Sequence, residues 1–481
     1  MSEQRPVRPQ LVLAICCLSV CIAGIDVTIV NVALPTIGTS LHASLSSLQW
    51  TVDAYTLVIA CLLMLSGSLA DRFGRKRTFQ IGLTLFSLGS LLCSLAPGVG
   101  WLVAFRGLQA VGGSMLNPVA MSIIATAFPE RRARARAVGV WGSVAGLSLA
   151  LGPVLGGILV SGIGWRSIFW INVPIGIAAI VLVRFFVPES KAARARALDP
   201  VGQALIIVLL ASLTAATIEG PHHGWGSPFI LGLFALAVAA VAGLIVVESR
   251  MREPLIDLRF FRSAPFSGAT LIALAAYASL GGFLFLNTLY LQDVRGYSPL
   301  HAGLMTIPFA VALGVFANIS GRLIGSKGAR LPLVLAGLLL TFSPLAFLAL
   351  DAHTSTAYLL AAYTVFGIGS GLVAPPITNT AVSGMPADQV GVAGALASSS
   401  RQFGSAIGVA VTGSLITSGT GAGFVAASHA AWGVIAGCGA LVLLFGIAST
   451  GSWARATAVR NSERLAAQPQ PAADRLTPSV H

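Results

Sequence analysis

Long apolar runs, separated by short charged stretches, follow one another along the whole chain, and this pattern restricts the possible folds more than any single motif does. A helix needs about 20 mostly apolar residues to cross the roughly 30 Å hydrocarbon core of a bilayer. A spanning β-strand would instead alternate apolar and polar residues over about ten positions, and the runs show no such alternation. We therefore predict fourteen membrane-spanning helices, over residues 11–37, 48–70, 79–96, 100–127, 138–161, 167–187, 201–219, 227–248, 265–291, 301–325, 331–350, 356–380, 400–418 and 430–449.

The scarcity of charge also indicates a membrane protein. Only 9% of the residues are charged and 56% are hydrophobic, whereas about 25% of the residues of a soluble domain are charged. So little polar surface cannot cover a water-soluble globule of 481 residues. This excludes most soluble enzymes, disordered proteins and nucleic-acid-binding proteins. We expect an all-α membrane protein that contacts the lipid bilayer and has no nucleic-acid partner.

The basic residues predict the orientation of the chain. If the N-terminus lies inside, 26 of the 29 Lys and Arg residues fall on the cytoplasmic side, with Arg166 and Arg295 outside and Arg106 within a span. Cytoplasmic loops carry an excess of Lys and Arg, so both termini are predicted to be cytoplasmic. The net charge of +13 then reflects topology and attraction to anionic lipid headgroups. Arg outnumbers Lys 26 to 3, which fits a GC-rich bacterial genome and a location in the bacterial cell (inner) membrane.

The two ends of the chain differ in composition. The run 11–37 is too long for the apolar core of a signal peptide and is expected to remain as a span. From Ser452 onward, Ala, Pro, Gln, Arg and Ser predominate, which predicts a disordered cytoplasmic tail over 452–481. No metal site or cofactor is expected, because the cysteines lie in apolar runs without metal-ligand spacing to histidine. These cysteines are Cys16, Cys17, Cys21, Cys61, Cys93 and Cys438.

Two loops share a sequence pattern that indicates an internal repeat. Residues Gly67–Lys76 follow the second run and Gly321–Arg330 follow the tenth, and both read G-x-L-x-x-x-x-G-x-[KR]. Parallel six-span repeats around a central substrate site near the membrane midplane are a known plan for transporters. We predict an N-terminal six-helix bundle (1–187), two extra spans with flanking cytoplasmic loops (188–264) and a C-terminal six-helix bundle (265–451), followed by the tail (452–481).

Several motifs, in order and on the expected spans, carry a family resemblance. Together they are similar to the signatures of the Major Facilitator Superfamily, and specifically of its fourteen-span drug:proton antiporters. The segment Arg106–Gly113 departs from the fourth-span motif at Ala110, and Ser148 stands where the fifth-span motif often begins with Gly. The matching segments are Ile25–Pro35, Gly67–Lys76, Arg106–Gly113, Gly152–Gly157, and Trp165, Arg166 and Phe169 with Asn172–Pro174.

The resemblance implies a major facilitator fold of two six-helix bundles plus two extra helices, acting as a proton-coupled antiporter. Such a protein exports amphipathic, often cationic, drugs or antibiotics by alternating access, with the proton gradient as its energy source. We expect a monomer.

In the loop motif, Asp71 would latch the inside shut against the thirteenth span, which would open after Ser400. The implied gate residues are Gly67, Asp71, Arg72, Gly74, Arg75 and Lys76. Gly325 replaces the acid in the second copy of the loop, so no equivalent latch is expected there. The implied antiporter motif is Gly152, Pro153, Gly156 and Gly157, which would permit close packing at a bending helix.

Three charged residues within or near the spans are candidates for proton coupling. Asp26 lies fifteen residues past Leu11, hence about 22 Å along its helix, and acids at such a depth are functional candidates by default. Arg106 stays protonated, so its predicted role is to hold Asp26 ionised in one state and release it in another. The alternative for both residues is a permanent structural pair. Asp53 is predicted to be a second proton site, an attractor for cations, or an acid at headgroup level in contact with water.

Other polar residues are weaker candidates. Substrate contacts could come from the amides Asn31, Gln109, Asn117 and Asn287, or from Asn318 and Asn379, with Phe283, Phe285 or Tyr290 as aromatic walls. Glu219, His222 and His223 could form a metal site or a pH sensor, but neighbouring helical side chains point apart, so an external loop is the preferred interpretation.

Three functions remain open at this point. The leading one is proton-driven export of many compounds. A second is dedicated export of one endogenous metabolite or self-made antibiotic. A third is a membrane-embedded enzyme or non-transporting sensor, which the lack of a convergent His, Cys and Ser set disfavours. The sequence contains no Gly-Lys pair, and this excludes a Walker-type ATP site within the chain.

Overall fold

The computed structural model describes residues 8–192, 198–251, 254–351, 353–386, 389–416 and 422–466. This part of the chain folds into helices joined by short turns and contains no strand. The α-helices are α1 (Pro9–Leu41), α2 (Leu45–Phe73), α3 (Arg75–Ser94), α4 (Val99–Ala127), α5 (Arg131–Gly162), α6 (Ser167–Trp170), α7 (Asn172–Phe186), α8 (Pro200–His223), α9 (Pro228–Arg250), α10 (Ala264–Leu289), α11 (Pro299–Met305), α12 (Ile307–Lys327), α13 (Arg330–Ala346), α14 (Thr356–Val382), α15 (Val390–Leu415), α16 (Ala422–Ser449) and α17 (Ser452–Ala466).

Local sequence signals fix many of the helix ends. The side chain of Ser44 accepts a hydrogen bond from the Ser47 amide at the start of α2, and Asp199 caps α8 in the same way. Such caps satisfy amides that have no partner within the helix. Gly74 separates α2 from α3 with a φ of 113°, a backbone angle that glycine adopts without a Cβ clash. The chain can therefore reverse direction at this single residue.

Twelve of the described helical segments are long and apolar enough to cross a membrane. The prediction of an all-α, multi-pass membrane protein is therefore confirmed. Two of the predicted spans correspond to α3 and α15, which are not among these twelve. The count of fourteen spans thus remains a prediction. The helix α15 begins at Val390, so the prediction that this span opens after Ser400 is wrong.

The helices form two lobes with the same arrangement. In the first lobe (α1–α7), α1 packs on α5, α2 on α4, and α3 on α7. In the second lobe (α10–α16), the corresponding pairs are α10 with α15, α12 with α14, and α13 with α16. Large buried aromatic side chains, among them Phe283, Tyr363 and Trp432, fill the interior of the second lobe. Each lobe is thus a helix bundle with its own packed interior.

The remaining helices attach to this pair of lobes. In the hairpin α8–α9, α8 packs on both α2 and α15, and Gln203 Nε2 donates to the Cys61 carbonyl of α2 at 2.8 Å. The short helix α17 covers the start of α10, where Thr457 Oγ1 accepts from the Ala264 amide at 3.0 Å. The prediction of a disordered tail is therefore wrong for Ser452–Ala466, and residues 467–481 lie outside the described part.

We call the face on which α1 begins and α2 ends the basic face, because the loops there carry Arg72, Arg75 and Lys76. The two lobes contact each other at the opposite face. There, Gln49 Nε2 donates to the Ala410 carbonyl at 2.9 Å, and Gln292 Nε2 donates to the Val32 carbonyl at 2.8 Å. Both bonds join the first lobe to the second.

Toward the basic face the lobes separate. Gly146 and Gly157 are eleven residues apart on α5 and therefore share a face of that helix. A Cβ atom built on Gly157 would lie 2.7 Å from Leu300 Cα in the second lobe, whereas one built on Gly146 meets no atom within 4 Å. Gly321 and Gly325 on α12 also face open space. The space between the lobes is thus closed at the opposite face and open at the basic face.

Candidate functional site

A buried ion pair lies inside the first lobe. Asp26 on α1 is 0% exposed and Arg106 on α4 is 1% exposed. Arg106 Nη1 donates to Asp26 Oδ2 at 2.6 Å, and Gln109 Nε2 donates to Asp26 Oδ1 at 2.8 Å. Arg106 Nη1 also donates to Gln109 Oε1 at 2.7 Å. The three side chains are therefore hydrogen-bonded to one another around the Asp26 carboxylate. The contact between Asp26 and Arg106 is the part of this cluster that the sequence predicts, because both residues lie deep within their spans.

Two further helices complete this cluster. Asn172 Nδ2, on α7, donates to Asp26 Oδ1 at 3.0 Å, and Ser90 Oγ, on α3, accepts from Gln109 Nε2 at 2.6 Å. The sequence analysis did not assign a role to either residue. Asn172 lies in a segment that carries the family resemblance, which could have identified it, whereas Ser90 is a small polar residue with no sequence signal of its own.

Aromatic rings cover the positive charge. The ring of Tyr55 lies 4.1 Å from the Arg106 guanidinium carbon, and the ring of Phe169 lies 5.8 Å from it. Arg106 Nε also donates to the Thr51 carbonyl at 3.2 Å. A desolvated cation over an aromatic face gains about 2 kcal/mol. Arg106 thus keeps stabilising partners even when the charge on Asp26 is absent.

The chemistry available to this cluster follows from the two ionisable groups. Arg remains protonated in proteins, so only Asp26 can exchange a proton here. Removing one partner of a buried pair leaves an uncompensated charge at a cost of about 3–5 kcal/mol. Protonation of Asp26 would therefore change the balance of forces between α1 and α4, while Gln109, Thr51 and Tyr55 would hold Arg106 in place.

Asp53 on α2 is a second buried acid, and it is placed differently from Asp26. It is 0% exposed, and neither carboxyl oxygen has a hydrogen-bond partner among the described residues. It lies one helical turn from Gln49, which bonds to α15 of the second lobe. The interpretation of Asp53 as an acid at headgroup level in contact with water is therefore wrong. An unpartnered buried carboxyl group favours its neutral form, since burial penalises the charge.

The loop between α2 and α3 is held within its own lobe. Asp71 Oδ1 pairs with Arg75 Nη2 at 3.2 Å, and among the described residues its carboxylate makes no hydrogen bond to α15. Glu189 accepts from the amides of Lys76 at 3.1 Å and Arg77 at 3.3 Å. Glu189 therefore caps the start of α3, a role that the sequence analysis missed although an acid near a helix N-terminus is a recognisable signal.

The other residues of the loop motif have separate environments. A Cβ atom built on Gly67 meets no atom within 4 Å, and Arg72 is exposed. Lys76 Nζ donates to the Arg184 carbonyl at 2.9 Å. The loop is thus assembled but does not latch the two lobes together in this conformation. The latch remains a prediction for a state in which the basic face is closed.

The glycine-proline motif on α5 lies where both lobes meet. Gly152 packs against Thr28 of α1, and a Cβ atom on Gly156 would lie 2.9 Å from Ile29 Cγ1. Gly157 faces the second lobe at Leu300 of α11, and Gly303 of α11 faces the Pro153 carbonyl in return. The motif therefore brings α5 close to α1 on one side and to α11 on the other.

A narrow cleft lies between the lobes beside this motif. It contains two of the predicted amides, Asn31 from the first lobe and Asn287 from the second. Gln109 belongs to the Asp26 cluster instead, and Asn117 does not line the cleft. The lining residues are Thr28, Asn31, Val32, Pro153, Leu284, Asn287, Thr288, Leu291, Ala302 and Thr306.

The remaining predicted contacts lie elsewhere. Phe283 stacks on Phe366 with 4.3 Å between ring centres, and Phe285 is also buried in the second lobe. Tyr290 Oη donates to the Asp351 carbonyl at 2.7 Å. Asn318 and Asn379 are exposed on α12 and α14. None of these side chains lines the cleft.

Glu219, His222 and His223 lie in the last turns of α8 rather than in a loop, and Glu219 links this helix to α2. Trp50 Nε1 donates to Glu219 Oε1 at 2.9 Å, and His223 Nδ1 lies 3.7 Å from Glu219 Oε2. Among the described residues, no group of three His, Cys, Asp or Glu side chains is placed to hold a metal ion.

Comparison with known proteins agrees with this architecture. The chain is 39% identical over 392 residues to the multidrug resistance protein Stp of Mycobacterium tuberculosis, covering 82% of this chain and 73% of that protein. It is 38% identical over 416 residues to the tetracenomycin C resistance and export protein of Streptomyces glaucescens, covering 86% and 77%. A D-xylose-proton symporter has the same fold at a TM-score of 0.65, with 15% identity over 91% of this chain and 97% of that one. The model of the Major Facilitator Superfamily matches residues 16–409, and the protein therefore belongs to this superfamily of membrane transporters.

Proposed function

We propose that this transporter is a fourteen-span, proton-coupled exporter of small amphipathic compounds in the bacterial inner membrane. Both termini would be cytoplasmic, so the basic face would be the cytoplasmic face. The names of the relatives support export as the direction of transport, since one is a multidrug resistance protein and another a resistance and export protein.

The fourteen-span topology is supported by the lengths of α3 and α15. These helices have 20 and 26 residues, hence spans of about 30 and 39 Å. Their glycines meet neighbouring helices closely, as at Gly89 with Gln109 of α4 and Gly408 with Ala278 of α10. Small residues at such contacts lower the apolar content of a spanning helix without preventing it from crossing the membrane.

The buried pair of Asp26 and Arg106 is the observation that carries the proposed proton coupling. An acid and a base that are desolvated together in a transporter form a site where one proton changes a large interaction energy. In our proposal, Asp26 is ionised in the present conformation and takes up a proton when the lobes open to the other face. Asp53, buried without a partner, is proposed as a second proton-binding group.

Alternating access is supported by the shape of the space between the lobes. It is open toward the basic face and closed at the opposite face by contacts such as Gly157 with Leu300. A compound would enter from the cytoplasm and leave when these contacts separate. The close packing at Pro153 and Gly156 would let α5 move as a unit with α1.

The proposal is tested with purified protein in liposomes across an imposed pH gradient. We expect Asp26→Asn to reduce gradient-driven transport at least tenfold, because the amide cannot exchange a proton. Arg106→Ala should also fail, whereas Arg106→Lys should be partly active, since it keeps the charge but not the planar fork. Transport is measured with a panel of uncharged and cationic antibiotics and dyes.

The control for Asp26→Asn is Asp351→Asn, an exposed acid far from the pair, which should transport normally. A cooperative melting transition in detergent, even at a lowered temperature, distinguishes a folded variant that has lost coupling from one that has lost its fold. Normal gradient-dependent transport by a folded Asp26→Asn variant would refute the role of this carboxyl group.

A narrower function is favoured by one of the relatives, which is named for a single compound, tetracenomycin C. A dedicated exporter would transport one member of the panel, or none, under the same pH gradient. Export of several unrelated compounds would support the broader function.

A further inference from the structure

We infer that the cleft between the lobes recognises an uncharged compound through hydrogen bonds from an asparagine pair, Asn31 and Asn287, and excludes organic cations. This inference rests on the proposed function and specifies the chemical class of the transported compound.

Each asparagine has one polar atom without a partner in the protein. A ligand would reach these atoms once the lobes part at the cleft, since the cleft has room for only about one water molecule in this conformation. Asn31 is 5% exposed; its Nδ2 donates to the Val27 carbonyl at 3.2 Å, while its buried Oδ1 has no partner. Asn287 is 2% exposed, and its Oδ1 accepts from Tyr363 Oη. In the described part of the structure, no acceptor is paired with Asn287 Nδ2. The first lobe thus offers an acceptor and the second lobe offers a donor.

Three hydroxyl groups add further acceptors. Thr28 donates to the Leu149 carbonyl at 3.2 Å, Thr288 to the Leu284 carbonyl at 3.0 Å, and Thr306 to the Gly303 carbonyl at 2.7 Å. Since each hydroxyl proton is used within the protein, the oxygen lone pairs remain for a ligand. Buried polar groups without partners are costly, and a ligand with both hydroxyl and carbonyl groups would satisfy them.

No charged side chain lines the cleft. Its walls are completed by Val32, Pro153, Leu284, Leu291 and Ala302. In addition, the sequence from 264 to 289 and from 307 to 349 contains no Asp or Glu, and neither does that from 356 to 386 or from 389 to 449. Asp293, in the turn after α10, is the acid nearest the cleft in this lobe, but it is exposed and does not line the cleft. The long helices of the second lobe therefore supply no counter-charge for a cation.

The acids of the first lobe do not supply one either. Asp26 is already paired with Arg106, and its hydrogen bonds go to α4 and α7 rather than to the cleft. Asp53 is enclosed near the contact of α2 with α15 and does not line the cleft. A cation in the cleft would be desolvated without an opposite charge, which is strongly unfavourable. An uncharged compound with carbonyl and hydroxyl groups would bind without this penalty.

Equilibrium binding to the purified transporter in nanodiscs tests the inference without depending on proton coupling. The uncharged probes are chloramphenicol and quinizarin, and the cationic probe is tetraphenylphosphonium. We expect the wild-type protein to bind at least one uncharged probe at least tenfold more tightly than the cation. Asn31→Leu, which keeps the size but removes the acceptor, should weaken binding of that probe at least fivefold.

A charge introduced into the cleft provides the converse test. Asn287→Asp should increase the affinity for tetraphenylphosphonium at least tenfold, because it supplies the missing counter-charge. The matched control is Asn318→Asp, on the exposed side of α12, which should leave both affinities unchanged.

Three results would overturn the inference. These are tighter wild-type binding of the cation, no binding of either uncharged probe, and an Asn31→Leu variant that binds as the wild type does. Failure of pH-driven transport with the binding pattern intact would instead refute only the proposed coupling.

Discussion

Two buried carboxyl groups of the first lobe lie in opposite electrostatic environments. Asp26 receives hydrogen bonds from Arg106, Gln109 and Asn172, whereas Asp53 receives none among the described residues. The Asp26 carboxylate thus faces a cation and hydrogen-bond donors from both α4 and α7. A carboxyl group without partners in an apolar surrounding is favoured in its neutral form. The two acids therefore suit different steps of a transport cycle.

This contrast gives a prediction for Asp53. Asp53→Asn should leave the stability of the protein unchanged or slightly increased, because the amide resembles the neutral acid. If Asp53 binds a second proton, the same variant should lower the inward charge moved per uncharged molecule exported from two to one, so that a membrane potential drives transport less strongly. Transport in liposomes with a potassium diffusion potential and no pH gradient measures this effect.

The corresponding outcome for Asp26 provides the comparison. Asp26→Asn leaves Arg106 without its counter-charge and should lower the thermal stability, consistent with a cost of about 3–5 kcal/mol for breaking a buried pair. An Asp53→Asn variant that is strongly destabilised would contradict the neutral, unpartnered environment described for this residue.

The sequence predicts the Asp26 and Arg106 pair because charged residues at such depth must find each other. It does not predict Asn172 or Ser90, since uncharged polar residues are common in spanning helices and carry no requirement for a particular partner. The burial of Asp53 also depends on distant parts of the chain, because α8 and α15 both pack on α2.

At the scale of single elements, α5 combines tight and open positions on one face. Gly157 lies against the backbone of Leu300, and Gly146, three turns earlier on the same face, meets open space. The close approach of the second lobe therefore requires glycine at position 157, whereas position 146 has room for a side chain. This difference allows a controlled experiment within a single helix.

We predict that Gly157→Leu prevents closure of the opposite face and reduces transport at least tenfold. Gly146→Leu adds the same side chain on the same face, where it meets open space, and should keep at least half of the wild-type transport. Transport in liposomes and the melting temperature are measured for both. Equal loss of activity in the two variants would contradict the assignment of Gly157 to the contact between the lobes.

Helix α17 is a segment for which the amino-acid composition wrongly predicts disorder. Ala454, Ala458 and Leu465 are buried and lie four and seven residues apart, which places them on one face of a helix. Small alanines give this face little apolar character in the sequence. Its helical state depends on packing against the start of α10, which local sequence does not reveal.

At the scale of the whole molecule, the two-lobe plan could be predicted from the repeated loop pattern and the spacing of the apolar runs. The sequence does not predict how far the lobes open toward the basic face. The opening depends on whether contacts at the basic face or contacts at the opposite face are the more stable, and the two sets form in different conformations. The contact of Gln49 with Ala410 and that of Gln292 with Val32 favour the state described here, and the unformed latch at Asp71 is consistent with it.

This conformation and the proposed orientation together predict which positions water can reach from the cytoplasm. In a variant in which the six native cysteines are replaced by alanine, a cysteine at Gly142 or Gly321 should react with a membrane-impermeant maleimide added to inside-out vesicles. A cysteine at Leu300 should be protected, because the first lobe covers it. The labelled fraction is measured by a mass shift on a gel. If the lobes alternate, a transported compound and an inward proton gradient should lower labelling at Gly142 in inside-out vesicles. The same conditions should raise labelling at Leu300 when the maleimide is added to right-side-out vesicles. Labelling of Leu300 from the cytoplasmic side without any gradient would contradict both the closed opposite face and the proposed direction of opening.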